Sequence, residues 1–134
     1  MTATRPRASA TDVARATVPW RVAEQAVADY LRAHGFVVMH ENLRFGALEL
    51  DLVARRGDLV VIVEVRTRGP RSFDRPFSSI GRDKQRRLVR AAHFLWSREL
   101  SRLPDVRRVR IDVASVTRQG GRTTVEYVPG AITA

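Results

Sequence analysis

Five consecutive apolar residues, Leu59-Val60-Val61-Ile62-Val63, run straight into Glu64 and Arg66, with only Val65 between them. A β-branched run of this kind reads as a largely buried strand. Leu48 to Ala54 reads as a second strand and carries Glu49 and Asp51. Between them lies Arg55-Arg56-Gly57-Asp58, in which Gly57-Asp58 has the chemistry of a two-residue hairpin turn. Such a turn fixes a register. If Arg56 pairs with Leu59, every further pair keeps the same index sum, which puts Asp51 opposite Glu64 and Glu49 opposite Arg66. Side chains two apart on a strand share a face, so the four project together.

Directly opposite side chains have Cβ atoms about 4.5–5.5 Å apart, and like charges there destabilise a sheet. A hard cation such as Mg²⁺ takes oxygen ligands and removes that repulsion. Beside a phosphate it can activate water and stabilise a departing oxygen. The plainer alternative is a Glu49–Arg66 ion pair with Asp51 merely solvated. Leu50 and Leu52 flank Asp51, and the apolar run precedes Glu64, so the pair is expected in the interior.

The remaining chain supplies partners for this hairpin. Pro19 to His34 reads as a helix, with Ala23, Ala26, Val27, Tyr30 and Leu31 on one face and Gly35 as its stop. Glu24 lies at the border of that face, about 100° from Ala23. Phe36 to Glu41 reads as a strand, and residues 67–79 as a loop broken by Gly69, Pro70 and Pro76. Asp83 to Leu100 reads as a second helix with Leu88, Ala91, Ala92 and Leu95 inward. Lys84 and Gln85 fall within about 60° of Leu88 around its axis and are expected to lean towards the sheet. Arg108 to Val116 and Arg122 to Val128 read as strands joined through Gln119-Gly120-Gly121. Helix, three strands, helix and two strands make an α/β domain: a mixed central sheet of about five strands flanked by helices.

Composition narrows the function. The 134 residues fit one domain, read here as 19–134, behind a basic N-terminal tail at 1–18 expected to be disordered. The net charge is +10 and the pI about 11.6, and nearly all the positive charge is arginine, since Lys84 is the only lysine. That excess suits a polyanion, nucleic acid before a membrane surface. A solvated, arginine-biased surface is the plainer alternative. No apolar stretch is long enough to span a bilayer, so no membrane partner is expected. The absence of cysteine excludes thiol catalysis, disulfides and cysteine zinc sites, and suits a cytoplasmic location. His34, His40 and His93 have no metal-ligand spacing.

Several blocks occur in one order: Arg21-Val22-Ala23-Glu24, His34-Gly35-Phe36, Asn42-Leu43-Arg44, Glu49-Leu50-Asp51-Leu52-Val53, Val63-Glu64-Val65-Arg66-Thr67-Arg68, Lys84-Gln85-Arg86-Arg87-Leu88 and Arg110-Ile111-Asp112-Val113. Together they resemble the YraN family of uncharacterised bacterial proteins over about residues 20–132. That family resembles archaeal Holliday-junction resolvases and the restriction-endonuclease-like fold. The resemblance implies a PD-(D/E)XK site with Glu24 on the first helix, Asp51 on the second strand, and Glu64 and Arg66 on the third, and with Glu49 from the family's Gly-Glu-Ile-Asp-Leu block. Two positions depart from the pattern. Leu48 replaces a glycine, and Arg66 stands where the nuclease motif has lysine. Arginine stays protonated and presents a planar fork, so this exchange is not conservative.

The expected activity is metal-dependent endonucleolytic hydrolysis of nucleic acid, extending to branched DNA. Asp51, Glu64 and Glu49 would hold Mg²⁺ or Mn²⁺. Glu24, Arg66 and Lys84 would complete the catalytic set, Lys84 supplying the missing ammonium. Arg68, Arg71, Arg75, Arg82, Arg86, Arg87 and Arg90 would grip the backbone. The alternative is an inactive nucleic-acid-binding module of the same fold, favoured by Arg66. Related resolvases act as dimers, so the resemblance extends to a homodimer.

Overall fold

A computed structural model describes residues 18–68 and 80–133. The chain runs α1 (Trp20–Ala33), β1 (Val37–Phe45), β2 (Leu48–Arg56), β3 (Leu59–Arg68), α2 (Arg82–Arg98), a short 3-10 turn (Leu100–Arg102), β4 (Arg108–Gln119) and β5 (Arg122–Ile132). The five strands form one mixed sheet in the order β1-β2-β3-β4-β5. Only β3 and β4 are parallel, and α2 lies in the crossover between them.

Each helix covers one face. Ala23, Val27 and Leu31 of α1 pack with Leu52, Ala54, Val61, Val63 and Val65. Leu88, Ala91 and Leu95 of α2 pack with Val53, Val60 and Ile62 on the other side. The apolar run Leu59–Val63 is thus divided between two cores, which is why it needs no polar alternation. Val18 is also buried. It precedes the N-cap Pro19 and joins Ala23 in the α1 core, as a hydrophobic staple does.

The Gly57-Asp58 turn fixes the expected register, from Arg56↔Leu59 to Leu52↔Val63, with Gly57 at φ +61°. The strands then part company. At the next step the Val65 N–H donates to Asp51 Oδ2 at 2.8 Å, a side chain standing in for a backbone acceptor. Strict alternation would keep Leu50 with Leu52, yet Leu50 packs in the α2 core and Leu52 in the α1 core. So β2 turns over near Asp51, and the inferred Glu49–Arg66 pairing does not form in the ladder. Glu49 pairs instead with Arg44 of β1.

Other strands outrun their expected ends. β1 continues past Glu41 because Asn42 takes φ +54° without breaking it, as asparagine tolerates. It closes on β2 through a second two-residue turn, Phe45↔Leu48. β5 reaches Ile132 through a bulge opposite Asp112. Asp112 is fully buried there. It accepts from Arg110 Nε at 2.8 Å, Arg110 Nη2 at 3.0 Å, Tyr127 Oη at 2.5 Å and the Gly130 N–H at 2.7 Å.

Candidate functional site

Where β2 and β3 diverge, Asp51 and Glu64 lie side by side, only 7% and 6% exposed. The β2–β3 ladder ends one pair short of them, at Leu52↔Val63, so the expected Asp51–Glu64 pair does not form in the ladder although the two carboxyls meet through their side chains. Burial pushes the Asp51 carboxyl up to about 8, and the charge of Glu64 and a hydrogen bond between the two carboxyls add to the rise. The Val65 N–H and the Lys84 ammonium oppose it.

Lys84 enters from the first turn of α2. Its Nζ lies 3.0 Å from Glu64 Oε2, with the lysine half-exposed and the glutamate buried. The helical angle places Lys84 on the sheet side, and the ion pair fits that placement. Gln85 does something else. Its amide donates to the Ile80 carbonyl at 3.0 Å, closing the chain entering the helix. Arg66 joins Glu64, Ile80, Gly81 and Lys84 around a cavity of about 150 Å³. The site is therefore a small cleft lined by one of the two acids, Glu64, and by two cations, with Asp51 buried against Glu64.

Glu49 flanks this cleft. It lines a neighbouring cavity of about 200 Å³ with Lys84 and Arg87, and its carboxylate lies 3.6 Å from Arg44. Glu24 is buried on α1, with burial raising its carboxyl above the ordinary range. Asn42 and Trp20 donate hydrogen bonds to it, and Glu41 and Glu49 are the charges that raise it further. Its Oε2 has no hydrogen-bond partner among the described residues. Trp20 and Asn42 were not anticipated as partners of Glu24. The signal for Asn42 was its side chain, which suits both positive φ and amide donation.

Among the described residues, no three histidine, aspartate or glutamate side chains converge closely enough to hold a metal ion. Of the expected ligands, Asp51 and Glu64 lie together, whereas Glu49 lies beside Arg44 and its charge reaches Glu24. Two carboxylates fit Mg²⁺, which keeps several waters and takes its remaining oxygens from substrate phosphate.

Arg82, Arg86 and Arg90 border a groove of about 460 Å³ beside the end of β5, and Arg87 lies on the cleft side of α2. Arg71 and Arg75 lie outside the described residues. Of Arg68 only the backbone, ending β3, is described. No helix among the described residues is long and apolar enough to cross a membrane.

This is an α/β sandwich with a buried acid pair and a lysine at the mouth of its central hairpin. The chain belongs to the uncharacterised protein family UPF0102, whose pattern residues 23–116 match. It is 44% identical over 110 residues to a UPF0102 protein of Sorangium cellulosum, covering 81% of this chain and 76% of that one. With a UPF0102 protein of Myxococcus xanthus it shares 43% identity over 114 residues, 83% of this chain and 86% of the relative. A relative from Syntrophotalea carbinolica is 40% identical over 112 residues, with 83% and 88% covered. The family membership implied by the sequence blocks is thereby established.

Proposed function

We propose that this chain is a metal-dependent nuclease of the restriction-endonuclease-like class, hydrolysing phosphodiester bonds in nucleic acid. The observation that carries this reading is the buried Asp51–Glu64 pair with the Lys84 ammonium 3.0 Å from Glu64. Asp51 has one backbone donor and an acidic neighbour. A site that disfavours its own second negative charge is suited to receive a cation. When bound, Mg²⁺ or Mn²⁺ would supply Lewis acidity and a more acidic water.

The chain's own groups divide the remaining work. Asp51 and Glu64 bind the cation through oxygen. Arg66 and Lys84 face the same cleft and meet the charge of a phosphate entering it. Lys84 occupies the role that the lysine of the PD-(D/E)XK pattern has on the third strand, reaching the acids from α2 instead. Arg66, always charged, binds phosphate oxygens and does not move a proton.

The test is incubation of purified protein with linear and branched DNA plus Mg²⁺ or Mn²⁺. Wild type should cleave, and Asp51→Asn and Lys84→Met should each lose activity by a hundredfold or more, on the order of one electrostatic transition-state contact. Cleavage that survives Asp51→Asn overturns the assignment. Unchanged turnover in Lys84→Met removes the lysine from it. Activity gained only by Arg66→Lys would favour the second reading, an inactive nucleic-acid-binding module, for which the arginine at that position is the specific observation.

A further inference from the structure

The cleft does not end at Lys84. Arg87, Phe94 and Arg98 follow Lys84 at three, ten and fourteen residues, and helical geometry keeps all four within about 80° around α2. The stripe runs about 21 Å along the helix. The tip of the β1–β2 hairpin forms its other wall. Ala47 and Leu48 line the cavity beside Lys84 and Arg87. Farther along, the Phe45 ring stacks on Phe94 with centroids 6.0 Å apart. The Arg98 guanidinium lies 5.3 Å from the Phe94 centroid and 5.6 Å from that of Phe45.

Two features of this stripe leave it open to a ligand. Phe94 is 38% exposed although apolar neighbours stand close by. Arg87 and Arg98 are exposed and have no ion-pair partner among the described residues. Cations interleaved with aromatic faces are the recognition chemistry of unpaired nucleic acid. The cations follow phosphates, and each ring or guanidinium plane offers a base something to stack on. In a duplex the bases already stack on one another and present only their edges. We propose that the Lys84-Arg87-Phe94-Arg98 stripe, with Phe45, holds a single-stranded segment of nucleic acid that leads into the Asp51–Glu64 cleft. This rests on the reading of the cleft as a nucleic-acid site and adds the strand character of its substrate.

Binding measured in EDTA separates the two claims, because it needs no cleavage. Fluorescence anisotropy with a labelled oligo-dT and with a duplex of equal length reads the stripe directly. Phe94→Leu keeps apolar bulk and removes the aromatic face. It should weaken oligo-dT binding about tenfold, the worth of roughly one stacked base, and leave duplex affinity unmoved. Phe94→Tyr should restore binding. Arg98→Gln removes the guanidinium that lies over both rings without touching the core and should also weaken oligo-dT selectively, so a poorly folded Phe94→Leu would not leave the matter open. Equal losses on both probes, or no loss on either, overturn the proposal. Duplex binding without oligo-dT binding overturns it alone, whereas binding to neither probe overturns the nucleic-acid reading with it. Self-association of the wild type that Phe94→Leu abolishes, with oligo-dT affinity unchanged, would assign the stripe to a second copy of the chain and overturn it also.

Discussion

Two buried aspartates in this chain have opposite surroundings. Asp112 receives four hydrogen bonds, two of them from a guanidinium, so its charge is met on every side. Asp51 receives the Val65 N–H and faces Glu64. Burial and that neighbour raise Asp51 from about the ordinary carboxylate value to about 8. The sign of the consequence follows. A raised carboxyl holds its proton in the folded state at pH values where the unfolded chain has released it. Its contribution to stability is complete below the unfolded pKa of about 3.9 and is lost as pH rises through about 8. In EDTA, the urea midpoint of the wild type should therefore fall between pH 5 and pH 8. Asp51→Asn, which has no proton to lose there, should show a flatter profile. Mg²⁺ at pH 8 should raise the wild-type midpoint and leave Asp51→Asn unmoved. A wild-type profile as flat as that of the variant would contradict the pairing of the two acids.

At the scale of elements, the hairpin was the legible part and its far end was not. Gly57-Asp58 dictates the register from Arg56 to Leu52, and the pairing found there is the one the turn implies. Extending the same arithmetic to Glu49 and Arg66 fails because Asp51 takes the Val65 N–H and ends the ladder. No periodicity records that a side chain will replace a backbone acceptor. Lys84 was legible from its helical angle. Glu24 lies at the border of its helix face, but its contact with Asn42 depends on Asn42 at positive φ, a tertiary choice. The end of β5 was hidden for a similar reason. The strand expected to end at Val128 continues because the buried Asp112 accepts the Gly130 N–H across the bulge. Asp112→Ala should then cost on the order of 3 kcal/mol in urea unfolding. Arg110 is one-third exposed, which puts the loss at the low end of that for a broken buried ion pair. A loss below about 1 kcal/mol, the scale of one ordinary hydrogen bond, would mean that β5 is held by its ladder alone.

At the scale of the whole molecule, the question is whether a charge of +10 acts on a partner or only on solvent. Solubility would be served by charge spread anywhere. Here α2 gathers Arg82, Arg86, Arg87 and Arg90 around the helix that also delivers Lys84 to the acid pair. The four are not equivalent. Arg86 is already engaged with Asp83 in the first turn, whereas Arg90 has no ion-pair partner among the described residues. Each phosphate neutralised contributes roughly −0.9 to the slope of log affinity against log salt for duplex and roughly −0.7 for a single strand. Four contacts would give a slope of about −3 to −4. Arg90→Gln should reduce its magnitude by up to about 1, and Arg86→Gln by less, because a competing carboxylate already discounts that charge. Asp51→Asn should leave the slope as it is, since it alters the site and not the number of phosphates met. Anisotropy titrations over a range of salt concentrations measure all three. Salt-independent binding, or none, would make the arginine excess a solvated surface and leave the buried pair without a polyanionic substrate.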